Sequence, residues 1–342
     1  FTLGIIFKKM KEKIIFLIWP FISILRIIKS GFRNQSSKTI FWLFFGFLGL
    51  NLSIYSESAD INVLTDNFIS WGKKDFKVLQ EIIFNWYGQA SNSFDFLSEI
   101  IYYTLSRFTL NQYLLYMTFG LIFGFFFSSV ICRISKFIHK LTLMEYFLIF
   151  SLIFIVSPMK GIIQFRYYTA SIIFIYGVLR YIIDNDKKSF FYIFLSIITH
   201  IGLVLPALGF LLFILFDNFN DKIVFNGMII SIILITLNGV SYQFFESYIV
   251  NFNDLASKKF SSYNGEIADI RFQATRDRVF YAAYFREIVV SGLLIPIFFI
   301  FRKRSNLENV DVRLIKLSFF LIFVTSFTLN QWMYHRYFDT LS

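Results

Sequence analysis

Long apolar runs separated by short polar breaks dominate the chain, at 14–29, 39–56, 111–132, 142–157, 163–183, 189–204, 205–217, 223–240, 287–301 and 314–329. A helix needs roughly 20 apolar residues to cross a ~30 Å hydrocarbon core, so the pattern predicts an all-α, polytopic membrane helix bundle with roughly ten spans. The first run is short and holds Pro20 and Arg26, which leaves two readings, a crossing or a helix lying in the interface. Two polar-rich segments, 57–110 and 241–286, are too long for turns. They predict larger extracytoplasmic loops carrying amphipathic helices that rest on the outer leaflet, with Tyr and Trp at headgroup level. No internal repeat is visible. Residues 1–342 are expected to form a single integral membrane domain. Phe1 is not an initiator Met and the chain stops just after an apolar segment, so trimmed ends and a further C-terminal span are expected.

Composition agrees with the pattern. Of 342 residues, 56% are hydrophobic, 21% aromatic and 16% charged, whereas soluble domains carry about 25% charge and 45–50% apolar residues. The apolar excess excludes disorder, and 16 Gly with 4 Pro excludes collagen-like or linker sequence. The single Cys132 permits no internal disulfide. The net charge of +11 resembles that of a nucleic-acid binder, but its distribution gives another meaning. If the second span runs outward, Lys29, Arg33, Lys38, Arg133, Lys136, Lys140, Arg180, Lys187, Lys188, Lys222 and the basic residues from Arg302 to Lys316 all fall inside. The facing short turns hold only Lys160 and Arg336, with Arg166 at a span edge. That is the bias of a membrane protein whose basic loops stay cytoplasmic, with no nucleic-acid partner. Lys8, Lys9, Lys11 and Lys13 break it if the first run crosses.

No P-loop, dinucleotide Gly fingerprint, nucleophile elbow or zinc-protease motif is present. His139, His200 and His335 are scattered, which suggests no metal site. Asp184-Asn185-Asp186 has a metal-binding form, yet the simpler reading is a solvated turn. Gly120 and Gly124 match the small-xxx-small pattern of close helix contact. His200 lies about 12 residues, or roughly 18 Å, into its span from Lys188, past mid-membrane. A polar ring there should face the bundle interior or a wet cavity, either to act on substrate or to make an interhelical hydrogen bond. Pro206 follows and can break the helix. Arg166 opens its span about 26 Å from the inner face. It is either a snorkelling anchor beside Tyr167 and Tyr168 or a bidentate donor to phosphate. Arg271, Arg276, Arg278 and Arg286 gather in the second long loop, and His335-Arg336 stands at the mouth of the last run. Surface ion pairs or contacts to an anionic ligand both account for them.

Several stretches are similar to a known family. Ser58-Ala59-Asp60 with Asp66-Asn67-Phe68, Ser106 to Asn111, and Phe119-Gly120 through Phe127 look like blocks of its first outside loop and next span. The most specific stretch is Gln164-Phe165-Arg166-Tyr167-Tyr168-Thr169-Ala170, then Phe174-Ile175-Tyr176-Gly177, ending in Ile198-Thr199-His200. Arg336-Tyr337-Phe338 looks like its late Arg-aromatic pair. In these features the chain resembles EpsG/Wzy-type bacterial polysaccharide polymerases, which build O-antigen, capsule or exopolysaccharide. It departs from them at Leu64, where an aromatic is common, and at Ile201-Gly202, which follow the His.

The resemblance implies a multi-pass protein of the bacterial inner membrane. It also implies a metal- and cofactor-independent glycosyltransferase that joins undecaprenyl-pyrophosphate-linked oligosaccharide repeats at the outer face. His200 and Arg166 would be catalytic, and Arg336, Arg278, Arg286, Arg276, Arg271, Asp60 and Tyr167 would bind substrate. A chain-length regulator and a flippase would be partners. The alternatives are an O-antigen ligase or other lipid-carrier glycosyltransferase, a lipid-linked sugar transporter or flippase, and a passive assembly protein.

Overall fold

The computed structural model describes residues 14–30, 35–52, 59–84, 95–137 and 158–216, together with 313, 316, 317, 320 and 321. The described residues are helical and contain no strand. The helices are α1 (Pro20–Ser30), α2 (Gln35–Leu50), α3 (Ala59–Trp71), α4 (Phe76–Phe84), α5 (Phe96–Ser106), α6 (Gln112–Phe137), α7 (Pro158–Ile163), α8 (Phe165–Asp184), α9 (Ser189–Thr199) and α10 (Val204–Phe216). A single 3₁₀ turn, Ile201–Leu203, joins the last two. The predicted spans at 142–157, 223–240 and 287–301, most of 314–329 and the second long loop lie outside the described residues.

The chain divides into two compact units, one of residues 1–86 and 93–203, the other of 87–92 and 204–342. In the second, Phe213 and Phe216 pack on Phe320, and the backbone of Phe320 and Leu321 lies close against Gly209. The remaining helices belong to the first.

Helix α6 is the framework of the first unit. Its stretch Gln112–Ser135, 24 residues of mean hydropathy 2.0, is the one helix among the described residues long and apolar enough to cross a membrane. At about 1.5 Å per residue it exceeds a ~30 Å core. Helices α2 and α6 pack with their backbones almost touching. A Cβ placed on Gly49 would stand 2.2 Å from the Tyr116 carbonyl oxygen, and one on Gly120 would stand 2.2 Å from that of Phe45. Only glycine fits at either point, as the small-xxx-small spacing of Gly120 and Gly124 leads one to expect. Phe41, Phe45, Phe123 and Phe127 fill the seam as stacked and edge-on rings.

Residues 59–84 and 96–106 form three helices whose apolar surface is divided, with Val63, Ile69, Phe76, Ile83 and Phe84 exposed and other large side chains buried. Phe68, Trp71 and Tyr102 are almost fully buried in one cluster with Leu115, Tyr116, Phe119, Ile162 and Phe165. Thr65 and Tyr116 share a hydrogen bond of 2.6 Å between their hydroxyls, tying α3 to α6. Arg107 donates to the carbonyls of Trp71 (2.5 Å) and Lys74 (3.0 Å), closing the end of α5 onto the α3–α4 turn.

Helices α8 and α9 form a hairpin around Asn185, whose left-handed φ of 48° ends α8. An Asn tolerates that conformation better than other side chains. The hairpin places the first residues of α8 and the last of α9 at the same end.

Candidate functional site

At that end α8, α9 and α5 converge. Phe165 is fully buried and stacks face to face on Phe119, with ring centroids 4.0 Å apart, which pins the start of α8 to α6. The next residue, Arg166, donates from Nη1 to Oδ2 of Asp95 at 3.1 Å. The other oxygen, Oδ1, lies 3.0 Å from Nδ1 of His200. The Ile201 amide donates to the same oxygen over a longer 3.4 Å. Asp95 is 71 residues from Arg166 and 105 from His200 in sequence. One carboxylate thus joins the two residues to which the sequence assigns chemistry.

The burial is uneven. The Asp95 side chain is 2% exposed, His200 17% and Arg166 43%. An ionised carboxylate removed from water costs several kcal/mol unless it is paired and hydrogen-bonded, and here both oxygens are engaged. Arg166 has five N–H donors. Nη1 serves Asp95, and the exposed part of the guanidinium stays accessible to a second anion. The helix end reinforces the carboxylate, since an anion is favoured at the head of α5.

Local backbone explains how each group is aimed. Asp95 is the N-cap of α5, yet its side chain makes no cap hydrogen bond. A capping Asp contributes about 1 kcal/mol, and here the carboxylate is given over to tertiary contacts instead. His200 is the C-cap of α9 and has extended backbone, φ −154° and ψ 118°. The sequence predicts one span over 189–204, but α9 stops at Thr199. Pro206 lacks an N–H and crowds the carbonyl four residues back, so regular helix cannot run through Gly202. Helix α9 thus ends about two turns before Pro206, and the Ile201 amide is left to donate to Asp95. Tyr167 sets its ring edge-on to His200, with centroids 5.7 Å apart at 90°.

Glu99 follows Asp95 by one turn on the same face of α5. It accepts from Trp71 Nε1 at 2.5 Å. Burial pushes its carboxyl above the usual range, against the opposing pull of that hydrogen bond and of Lys74 and Arg166. Burial likewise raises the Tyr102 phenol, a turn further on.

Of the other residues singled out by sequence, Asp60 is the second residue of α3. Arg271, Arg276, Arg278, Arg286 and Arg336 lie outside the described residues. Among the described residues no three His, Cys, Asp or Glu side chains gather as metal ligands. Asp184 and Asp186 make turn contacts: Arg133 donates to Asp184 at 2.7 Å, and Asp186 pairs with Arg180 and accepts from the Lys188 amide at 2.9 Å.

Sequence reasoning passed over Asp95. Flanked by Phe94 and Phe96 ahead of an apolar helix, it has the signature of a helix cap. The available signal was its place in a long loop preceding spans that carry an Arg and a His, each in want of a counter-charge. No family model, no curated protein and no solved structure matches the chain.

Proposed function

We propose that the protein is a multi-pass membrane glycosyltransferase that joins lipid-pyrophosphate-linked oligosaccharide repeats into a polymer, at the outer face of the bacterial inner membrane. The observation that carries the reading is the meeting of Arg166 and His200 on one buried carboxylate. A guanidinium with an exposed edge suits a pyrophosphate, and an imidazole is a suitable base at neutral pH. In the proposed step a sugar hydroxyl of the acceptor repeat gives its proton to His200. Its oxygen then bonds to the anomeric carbon of the donor chain. The bond from that carbon to the pyrophosphate oxygen breaks, and the lipid pyrophosphate leaves with charge stabilised by Arg166.

Exposed apolar faces support the membrane setting. Helix α9 exposes Phe190, Phe191 and Phe194, and α10 exposes Leu208, Leu211 and Leu215. Rows of large side chains of this kind suit acyl chains better than water.

The test is a deletion strain with its surface glycans resolved by length. Loss of the polymer ladder with single-repeat product remaining supports the polymerase. A retained ladder of unattached polymer points to the ligase and overturns it. The helix break at His200 favours a second reading, a transporter of the same lipid-linked sugar, because interrupted helices build transport sites. Flipping of a labelled lipid-linked sugar by proteoliposomes, without polymer formation, identifies that case.

A further inference from the structure

We infer that Asp95 is a positioning residue that fixes the tautomer of His200 and holds Arg166 in register with it. This rests on the reading of His200 as the base and adds the residue that arms it. Asp95 is almost completely buried at the junction of three helix ends, with Oδ2 on Arg166 and Oδ1 on His200. Paired with a guanidinium, the carboxylate is ionised and can only accept hydrogen bonds. The ring nitrogen 3.0 Å from it, Nδ1, therefore carries the hydrogen of the neutral imidazole. Nε2 is left with the lone pair that a base needs.

The geometry argues that this contact is not simply a helix cap. The side chain sits at an N-cap and forgoes the cap hydrogen bond. Ser98 Oγ donates to the Asp95 carbonyl (2.8 Å), and the carboxylate reaches α8 and α9 instead. The Tyr167 ring packs edge-on against the same imidazole. Asp95 also takes only one nitrogen of Arg166, so it orients that guanidinium without occupying its exposed edge.

The direct test reads the ring. In a protein carrying H139Q and H335Q, ¹⁵N-labelled His200 should show a pyrrole-type Nδ1 and a pyridine-type Nε2 when neutral. D95N can offer its oxygen to Arg166 and its NH₂ to His200, so the two nitrogen types should exchange. D95E, with both acceptors retained, should keep the wild-type pattern. A pyrrole-type Nε2 in the wild-type ring overturns the inference even if neither variant folds. So does an unchanged pattern in folded D95N. In the transfer assay D95N should lose about a hundredfold in kcat, the lower range for a general base, with a smaller change in KM. D95E should recover part of the rate. The expected ring pattern with no transfer activity defeats the polymerase reading and leaves the positioning role standing. Transfer activity with the wrong tautomer does the reverse.

Discussion

The two ends of the α8–α9 hairpin carry similar residues to opposite effect. At the turn, two arginines meet two aspartates: Arg133 pairs with Asp184, and Arg180 with Asp186. The guanidinium of Arg133 lies over the Tyr176 ring, and that of Arg180 lies against Tyr176 and Tyr192. Each cation has its anion and its aromatic face, so the turn is a closed clamp. At the far end one carboxylate serves an arginine and a histidine, and it is the anion that is buried while the guanidinium is open. Balanced charge ties elements together. At the far end the charges balance as well, but Arg166 is 43% exposed where Arg133 and Arg180 are 21% and 17%, so its guanidinium can still meet an anion from outside. The difference between Arg180 and Arg166 lies in exposure, since residue type and charge balance alone do not separate them.

Substitutions at the two ends should separate in the same way. His200→Ala should have the largest effect, lowering polymer formation by purified protein in proteoliposomes about 10²- to 10⁴-fold, the range for a lost general base. Membrane insertion should be unchanged, and a wild-type rate rejects the base. Arg166→Lys keeps the charge but loses the planar fork. It should cost about ten- to a hundredfold in rate, in keeping with roughly 1.5–3 kcal/mol for a charged hydrogen bond. A normal polymer ladder from that variant would remove the phosphate role. Asp186→Asn at the clamp should leave the transfer rate within about twofold, since the pair lies at the opposite end of the hairpin from His200. Its signature should be faster hydrogen exchange at the Lys188 amide, which loses a charged acceptor. A strong activity loss there would erase the distinction between the two ends.

The smallest effect expected is a difference in pH response. The Lys188 amide, with help from Arg180, holds the Asp186 carboxyl below its usual range. Its stabilisation is therefore complete above the ordinary carboxyl range and is lost as pH falls through its lowered value. Glu99, raised by burial, acts with the opposite sign. The folded state holds that proton longer than the unfolded chain, so stability declines as pH rises from the ordinary carboxyl range toward the raised value. Glu99→Gln keeps an acceptor for Trp71 and should flatten that decline in melting curves. An unchanged decline would mean that Glu99 ionises in the folded protein without penalty.

The parts of this picture visible in sequence are those set by local pattern. An Arg opening one apolar run and a His closing the next is a statement about helix ends, and a short turn between the runs brings those ends together. The Gly120–Gly124 spacing announces a close crossing because its effect depends only on the absence of side chains. Asp184 and Asp186 flank the residue that turns the chain, and their paired arginines lie on α6 and α8. Asp95 was hidden because capping is a local rule and its partners are distant. The burial of Phe68 and Trp71 was hidden for a related reason. An amphipathic helix announces that it has an apolar side, but only tertiary packing decides whether Phe68 and Trp71 meet lipid or protein. The helix end at Thr199 was foreshadowed by Pro206, while its position about two turns upstream depends on where the freed amide finds an acceptor.

The close approach of α2 and α6 at Gly49 and Tyr116 has a mechanical consequence. It clips the last turn of one helix to the first turn of the other, so the excursion between them begins and ends at nearly one point. The ring-closure entropy of that excursion is met by two greasy rods already locked side by side. Asp95 searches for its partners from a tethered hoop instead of a loose strand. Replacing either pinched glycine would therefore slacken the hoop and blur the aim of a carboxylate that touches neither of them.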